Sequence, residues 1–410
     1  MKIINSCTRL HSQIVELIDK CDDFLFLFSF ALDLQYNTDV YKSLINALNC
    51  NVKIYILTSG VNEYTNFINH ENLVIANNID IRNKNHGILN YLRKIFNTKI
   101  GNDYQFVNHL RFLYNGKQLL FGGTNISSKY NGTHFEIIPE CNFTWYESGL
   151  LMNLSTKNEI FHDLFTKITD NDLTNATKTV ISNNDLKIVF SNKTQYEYVI
   201  ENINKSTHSI YIENQYIFSC KTYAGNLIFE TLASRINKAI YDNADFNLTL
   251  IICYFNYDEV QLEGLIMNAV IQQTLIDFRE NIRCDNKTFN KYVSIYIPTP
   301  DSRIIVHSKV FLFDEDKLLY STCNIADRSF YEKGDLESSV IIENKKNVTK
   351  IRTQLNRDFK TAKHLFNKFD FNDINYFKMW CYKILYYVVN VPFNYITNKS
   401  ICYYLGLKFL

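Results

Sequence analysis

The sequence predicts an α/β protein built as two tandem α/β/α lobes, with mixed sheets related by pseudo-two-fold symmetry. Three observations carry that prediction. At 410 residues the chain is longer than one hydrophobic core usually serves. Short apolar runs alternate with stretches of helical periodicity, the pattern of a sheet covered on both faces. Three segments then recur in the same order at a nearly constant offset, which marks an internal duplication.

The first copy opens on a helix with apolar residues at Ile14, Leu17 and Ile18, which is helical spacing. An apolar run follows, Phe24 to Phe30, and resembles Ser209 to Tyr216 in the second copy. A second strand, Asn51 to Leu57, resembles Asn247 to Cys253, and the two start 196 residues apart. The third recurring segment begins with His109-Leu110-Arg111 and reappears 198 residues later as His307-Ser308-Lys309. Each copy therefore reads as helix, strand, helix, strand and β-hairpin. Polar turns near Thr169 to Asp172 and Ser182 to Asp185 place the junction, giving a first lobe at 1–178, a second at 179–368 and an aromatic-rich segment at 369–410.

The third segment carries the chemistry. Read as the start of a strand, it puts His307 and Lys309 on one face by period-two geometry. The strand ends in the polar turn Asp314 to Lys317, and a return strand leads to Asn324, which the hairpin brings back toward His307. An imidazole, an ammonium and an amide around one point suit an anionic phosphodiester. A lone His-x-Lys is most often a solvated strand edge, but the first copy repeats it. There His109 and Arg111 share a face, Asn115-Gly116 is a two-residue hairpin turn, and the return strand reaches Asn125. The His-to-Asn spacing is 16 residues in the first copy and 17 in the second. Two unrelated edges would seldom reproduce that.

The pattern His307-x-Lys309-x4-Asp314 followed by Asn324 is similar to the HKD signature of the phospholipase D superfamily. Asn324 to Ser329, Gly334 to Glu337 and Ile210 to Tyr216 resemble the eukaryotic phospholipases D. The first half is similar more loosely, through His109, Gly122-Gly123 and Asn125, with Arg111 in place of the usual lysine. The usual Gly-Ser pair of the second motif is here Ser321-Thr322.

The resemblance implies two phospholipase D-like lobes sharing one site. It implies double displacement through a phosphohistidine, with His109 as nucleophile and His307 as acid and base. Histidine suits both tasks because its pKa of roughly 6.5 lies near working pH. Lys309, Arg111, Asn125 and Asn324 would hold the non-bridging oxygens. Glu337 is the candidate to orient a histidine, with Glu136 as its first-half counterpart, and Asp314 takes a structural place in the signature. Neither a cofactor nor a metal is required. Both motifs lie in one chain, so a monomer is expected.

Net charge is +1 from 43 basic and 42 acidic residues, which weighs against nucleic acid as substrate because that binding usually draws on a basic excess. A phospholipid at a membrane surface is the leading expectation. A superfamily nuclease, or a catalytically impaired membrane-remodelling protein of the poxvirus envelope type, are the alternatives. The ten cysteines are scattered singly, without zinc spacing, and Cys253 reads as a buried thiol. No signal peptide or spanning helix is expected, which places the chain in the cytoplasm or on the cytosolic face of membranes. Tyr376 to Val389 reads as a segment packed on the second lobe or as an interfacial contact with lipid, with Cys381 or Cys402 as acylation candidates by the same resemblance.

Overall fold

The computed structural model describes residues 1–5, 7–32, 34, 38–61, 70–77, 109–122, 126, 144–154, 158–170, 172–183, 186–219, 226–254, 262–302, 304–330, 335–374 and 376. In the first half the strands are β1 (Lys2–Asn5), β2 (Phe24–Leu32), β3 (Lys53–Val61), β4 (Leu73–Asn77), β5 (Phe112–Tyr114), β6 (Gln118–Phe121), β7 (Thr144–Tyr146) and β8 (Ser148–Asn153). Those that follow are β9 (Val180–Ser182), β10 (Lys187–Val189), β11 (Ser209–Asn214), β12 (Asn247–Ile252), β13 (Val293–Pro298), β14 (Ile304–Val306), β15 (Val310–Phe313), β16 (Lys317–Ser321), β17 (Ser339–Ile342) and β18 (Phe366–Lys368).

The duplication is written in the strand order. One sheet of seven strands runs β1-β8-β6-β5-β2-β3-β4, and one of nine runs β18-β13-β12-β11-β15-β16-β17-β10-β9. Taken from the opposite edge, β10-β17-β16-β15-β11-β12-β13 repeats the first sheet strand for strand. Orientation repeats as well. β2 is parallel to β3 and antiparallel to β5, as β11 is parallel to β12 and antiparallel to β15. The fold is α/β, with two tandem lobes and mixed sheets.

Each half contains more strands than the helix-strand-helix-strand-hairpin reading allows. β4 and β13 lie beyond the second strand, and β8 with β1, or β17 with β10, lie beyond the hairpin. These additions are short, three to six residues, and such lengths give little periodicity to detect.

Burial follows side-chain parity along the central strands. Leu25 and Leu27 of β2 pack outward under the helices Cys7–Asp19 and Thr38–Asn49, through Ile14, Leu17, Val40 and Leu44. Phe26 and Phe28 face the other way, into a cluster shared with Tyr211, Val310, Leu312 and Tyr320 of the second sheet. That cluster also takes in Phe161 and Leu164 of the helix Asn158–Thr169, and Ile351 and Leu355 of the helix Lys345–Ala362. The outward face of the second sheet, with Ile210, Ile212, Phe311 and Phe313, is covered by the helices Asn192–Lys205, Ile228–Tyr241 and Leu262–Glu280. Among the described residues, no helix is long and apolar enough to cross a membrane. The aromatic segment beyond Tyr376 lies outside the described residues, with Cys381 and Cys402.

Two turns fix the hairpins. In the first, the reversal centres on Gly116 and Lys117, one residue later than Asn115-Gly116, because Asn115 pairs with Gln118 across it (N to O 3.2 Å). Gly116 sits at φ 87°, where a side chain would be strained. The Asn115 amide donates to the Leu17 carbonyl at 3.0 Å and accepts from the Gln118 N–H at 2.9 Å. In the second hairpin Asp314 does the same work. Its carboxylate accepts from the N–H groups of Thr207 (2.9 Å), His208 (2.8 Å) and Ser209 (2.9 Å), tying the turn to the start of β11. Asp314 thus lies at the far end of β15 from His307, which takes it out of the candidate catalytic group.

Burial pushes the Asp314 pKa up, but the N–H bonds from Ser209, Thr207 and His208 outweigh it and the net shift is downward. Its contribution is therefore present above the unfolded-state pKa, roughly 4, and is lost as pH falls through the lower folded value. Asp314→Ala should cost about 1.5 kcal/mol in urea unfolding at pH 7, the low end for bonds to a partly exposed charge. That difference should vanish in acid. A constant difference down to pH 2 would contradict the role given to the carboxylate.

Candidate active site

The sheets bring His109-Leu110-Arg111 and His307-Ser308-Lys309 to the boundary between the two halves. Both triplets lie just ahead of their strands, β5 and β15, rather than within them. Their place is set by backbone bonds across the boundary. The His109 N–H donates to the Leu336 carbonyl and the His307 N–H to the Tyr146 carbonyl, each at 2.9 Å. A parallel pair between β14 and β7, with Val306 opposite Tyr146, leads directly into the second of these.

Leu336 and Tyr146 each precede a glutamate, and each glutamate takes the histidine of the other half. The His109 Nδ1 lies 2.9 Å from Glu337, and the His307 Nδ1 is hydrogen-bonded to Glu147. Arg111 comes across as well, its Nη1 3.2 Å from His307 Nε2 and 3.4 Å from Nδ1. The Lys309 ammonium donates to the Gln215 side chain at 3.0 Å and to the His307 carbonyl at 2.6 Å. His109, Arg111, Glu147, His307, Lys309 and Glu337 are each no more than 2% exposed.

The two carboxylates differ in their surroundings. Burial pushes Glu337 up, but His109 and hydrogen bonds from Thr322 and Ser329 outweigh it and hold the group below its ordinary value. The Thr322 hydroxyl donates to it at 2.5 Å and the Ser329 hydroxyl at 2.7 Å. Glu147 lacks that support, and burial pushes it up to about 7 against the pull of Lys309 and Arg111. Burial likewise brings Lys309 down to about 7, with Arg111 adding to the fall and Glu147 opposing it. His307 is held well below its usual value, first by burial and then by the charges of Lys309, Arg111 and His109.

Behind the second triplet is another buried carboxylate. Glu213 accepts from the Ser308 and Tyr211 hydroxyls, and burial raises it above the ordinary range. Asn324 is buried, and its N–H donates to the Ser329 hydroxyl at 3.2 Å, one step from Glu337. Cys253 is a buried free thiol, raised to about 12 by desolvation and so unreactive.

Of the residues singled out from sequence, His109, Arg111, His307, Lys309 and Glu337 come together, with Asn324 beside them. Asn125 and Glu136 lie outside the described residues. Glu147 partners the second-half histidine. The signal for it was a Glu-Ser pair entering an apolar strand, Glu147-Ser148 before β8 as Glu337-Ser338 stands before β17. Counting from the asparagine misses it, because the intervening segment is longer in the first half. Gln215 and Glu213 lie in the Ile210 to Tyr216 run, whose resemblance to the eukaryotic phospholipases D was the signal for them. His109, Asp335 and Glu337 place ligand-type atoms within 4.8 Å of one another, but the Glu337 oxygens already accept from His109, Thr322 and Ser329. The group is one in which carboxylates orient a histidine.

Residues 199–360 match the family described as cardiolipin synthase, PLD-like domain. The chain is 28% identical over 179 residues to phospholipase D1 of Homo sapiens, covering 38% of this chain and 16% of that protein. It is 30% identical over 171 residues to phospholipase D C of Dictyostelium discoideum, covering 37% of this chain and 10% of that one. The matched region is thus a small part of the length of these relatives. In fold, the structure is similar to phosphatidylserine synthase of Haemophilus influenzae Rd KW20, with a TM-score of 0.63, 9% identity and coverage of 94% of this chain and 93% of the other. The repeated sheets and crossed histidine pairs define a duplicated α/β protein with one shared centre. The PLD-like domain matched at residues 199–360 and the likeness to phospholipases D support membership of the phospholipase D superfamily.

Burial penalises the charged forms of Glu147 and Lys309 alike. The raised Glu147 favours folding most below its unfolded pKa, and that contribution is lost as pH rises toward 7. The lowered Lys309 favours folding most above its unfolded pKa, and that is lost as pH falls toward 7. At neutral pH each therefore needs the other's charge. Glu147→Gln and Lys309→Met should each cost about 3 kcal/mol in urea unfolding at pH 7, and the double variant should cost less than their sum by about 1 kcal/mol or more. Simple additivity would argue against the coupling.

Proposed function

We propose that the protein is a phospholipase D-type phosphodiesterase and transphosphatidylase acting on phospholipids through a phosphohistidine intermediate. The observation that carries this reading is the convergence of two buried imidazoles, one from each half, beside two cationic side chains. A phosphodiester resists hydrolysis because its charge repels anionic nucleophiles and its leaving alkoxide is poor. A neutral imidazole avoids the repulsion, and division into two displacements lowers each barrier. The second imidazole protonates the leaving oxygen, then takes a proton from the incoming water or alcohol. Arg111 and Lys309 would neutralise the non-bridging oxygens, where loss of one such donor typically costs about 10²–10³ in rate.

Phospholipid as the substrate class is supported by the names of the relatives, phospholipases D and a phosphatidylserine synthase. The near-zero net charge of +1 agrees with that choice over nucleic acid. Such a substrate implies work at a membrane surface. Arg111 replaces lysine without loss of charge, and its planar fork can grip two phosphate oxygens.

Purified protein should convert phosphatidylcholine and ethanol to phosphatidylethanol, and His109→Ala or His307→Ala should each lower the rate by at least about 10². Cleavage of single-stranded DNA without lipid turnover would favour a nuclease. No turnover of either by folded protein would favour a catalytically impaired membrane-remodelling role.

A further inference from the structure

The two histidines share a backbone plan but not an electrostatic one. His307 faces two cations and one carboxylate, Arg111, Lys309 and Glu147. The Arg111 Nη1 is nearly equidistant from both ring nitrogens, at 3.2 and 3.4 Å, which sets the guanidinium against the ring face rather than in line with one lone pair. A cation there opposes an imidazolium strongly. Burial brings both Glu147 and Lys309 to about 7, so at neutral pH the Arg111 guanidinium is the stronger charge on that ring. His109 has carboxylates beside it. Glu337 lies 2.9 Å and Asp335 4.0 Å from its Nδ1, and Glu337 is held ionised by three donors.

We infer that His307 is the nucleophile and His109 the proton carrier, the reverse of the order that the family resemblance implies. This rests on the phosphodiesterase reading above. In the first displacement the lone pair of His307 Nε2 forms the N–P bond as the P–O bond to the leaving group breaks. The proton on His109 Nε2 passes to that oxygen. In the second, water or an alcohol gives its proton to His109 as its oxygen bonds phosphorus and the N–P bond breaks. His307 returns neutral and His109 returns protonated, so the cycle closes. Arg111, where the family carries lysine, acts as a positioning residue that keeps the nucleophile uncharged.

The test separates attack from proton transfer. Short-chain phosphatidylcholine mixed with wild-type protein and quenched in alkali should leave its phosphatidyl group on the peptide that carries His307. A p-nitrophenyl phosphodiester, whose leaving group needs no proton, should give a burst of about one equivalent of p-nitrophenolate with His109→Ala and none with His307→Ala. His109→Gln and His307→Gln, closer in shape, repeat the comparison should the alanine variants not fold. An adduct on His109, or a burst only in the His307 variants, would overturn the assignment and leave the phosphodiesterase reading standing. Absence of adduct, burst and turnover in wild-type protein would sink both.

Discussion

Everything in this molecule that bears on chemistry depends on a crossed pairing, in which the histidine of each half is held by the glutamate of the other. His109 meets Glu337 and His307 meets Glu147, and each histidine N–H is bonded to the carbonyl of the residue before that glutamate. Neither half can build a finished site alone. The requirement falls on the packing between the sheets, because a shift of one residue in the β14–β7 pairing would carry His307 away from Glu147. The apolar cluster that joins the sheets, from Phe26 and Phe28 to Val310, Leu312 and Tyr320, is what holds that register. Tyr320 also crosses to the first half, with its hydroxyl 2.6 Å from the Ser148 hydroxyl and its ring over Gly122, where a Cβ would lie 2.5 Å from it.

Holding the pairs out of water has a cost that the rest of the fold must offset. Six charged or titratable side chains meet with almost no exposure, and taking charge out of water is costly. Glu337 escapes the penalty through its donors. Glu147 and Lys309 do not, and both come to about 7. Groups shifted toward neutrality from opposite directions are common where a site moves protons, and the proposed reaction would draw on them.

The repeat was legible because it rests on long apolar strands and on a motif that recurs. β2 and β11 are buried on both faces, so their sequences stand out as nearly unbroken apolar runs. The strands added around them were not legible, since Lys187–Val189 and Ser339–Ile342 are too short to show a period. Among site residues, those inside the His-x-Lys and His-x-Arg triplets were found because the triplet recurs just ahead of the same strand in both halves. Glu147 was missed because it is placed by a strand of its own, reached through a segment whose length differs between the halves. Asp314 belongs to the motif in sequence but not to the site in space. It serves the hairpin turn, as Asn115 serves the other.

The duplicated backbone makes the two imidazoles equivalent in position, and the side chains around them undo that equivalence. In the strand pairing, Glu213 stands opposite Val310 where Phe28 stands opposite Phe112, and Ser308 follows its histidine where Leu110 follows the other. A carboxylate with its hydroxyl donor in one half is thus matched by two apolar side chains in the other. Arg111 in one triplet and Lys309 in the other extend the difference into the centre. Double displacement at one phosphorus asks for one imidazole that is neutral and one that is protonated at the same pH. Close, coupled groups lose their protons in separate steps even where their surroundings match. In the proposed reaction the repeated backbone would set where the rings stand, and the unlike lining would bias which of them carries the proton.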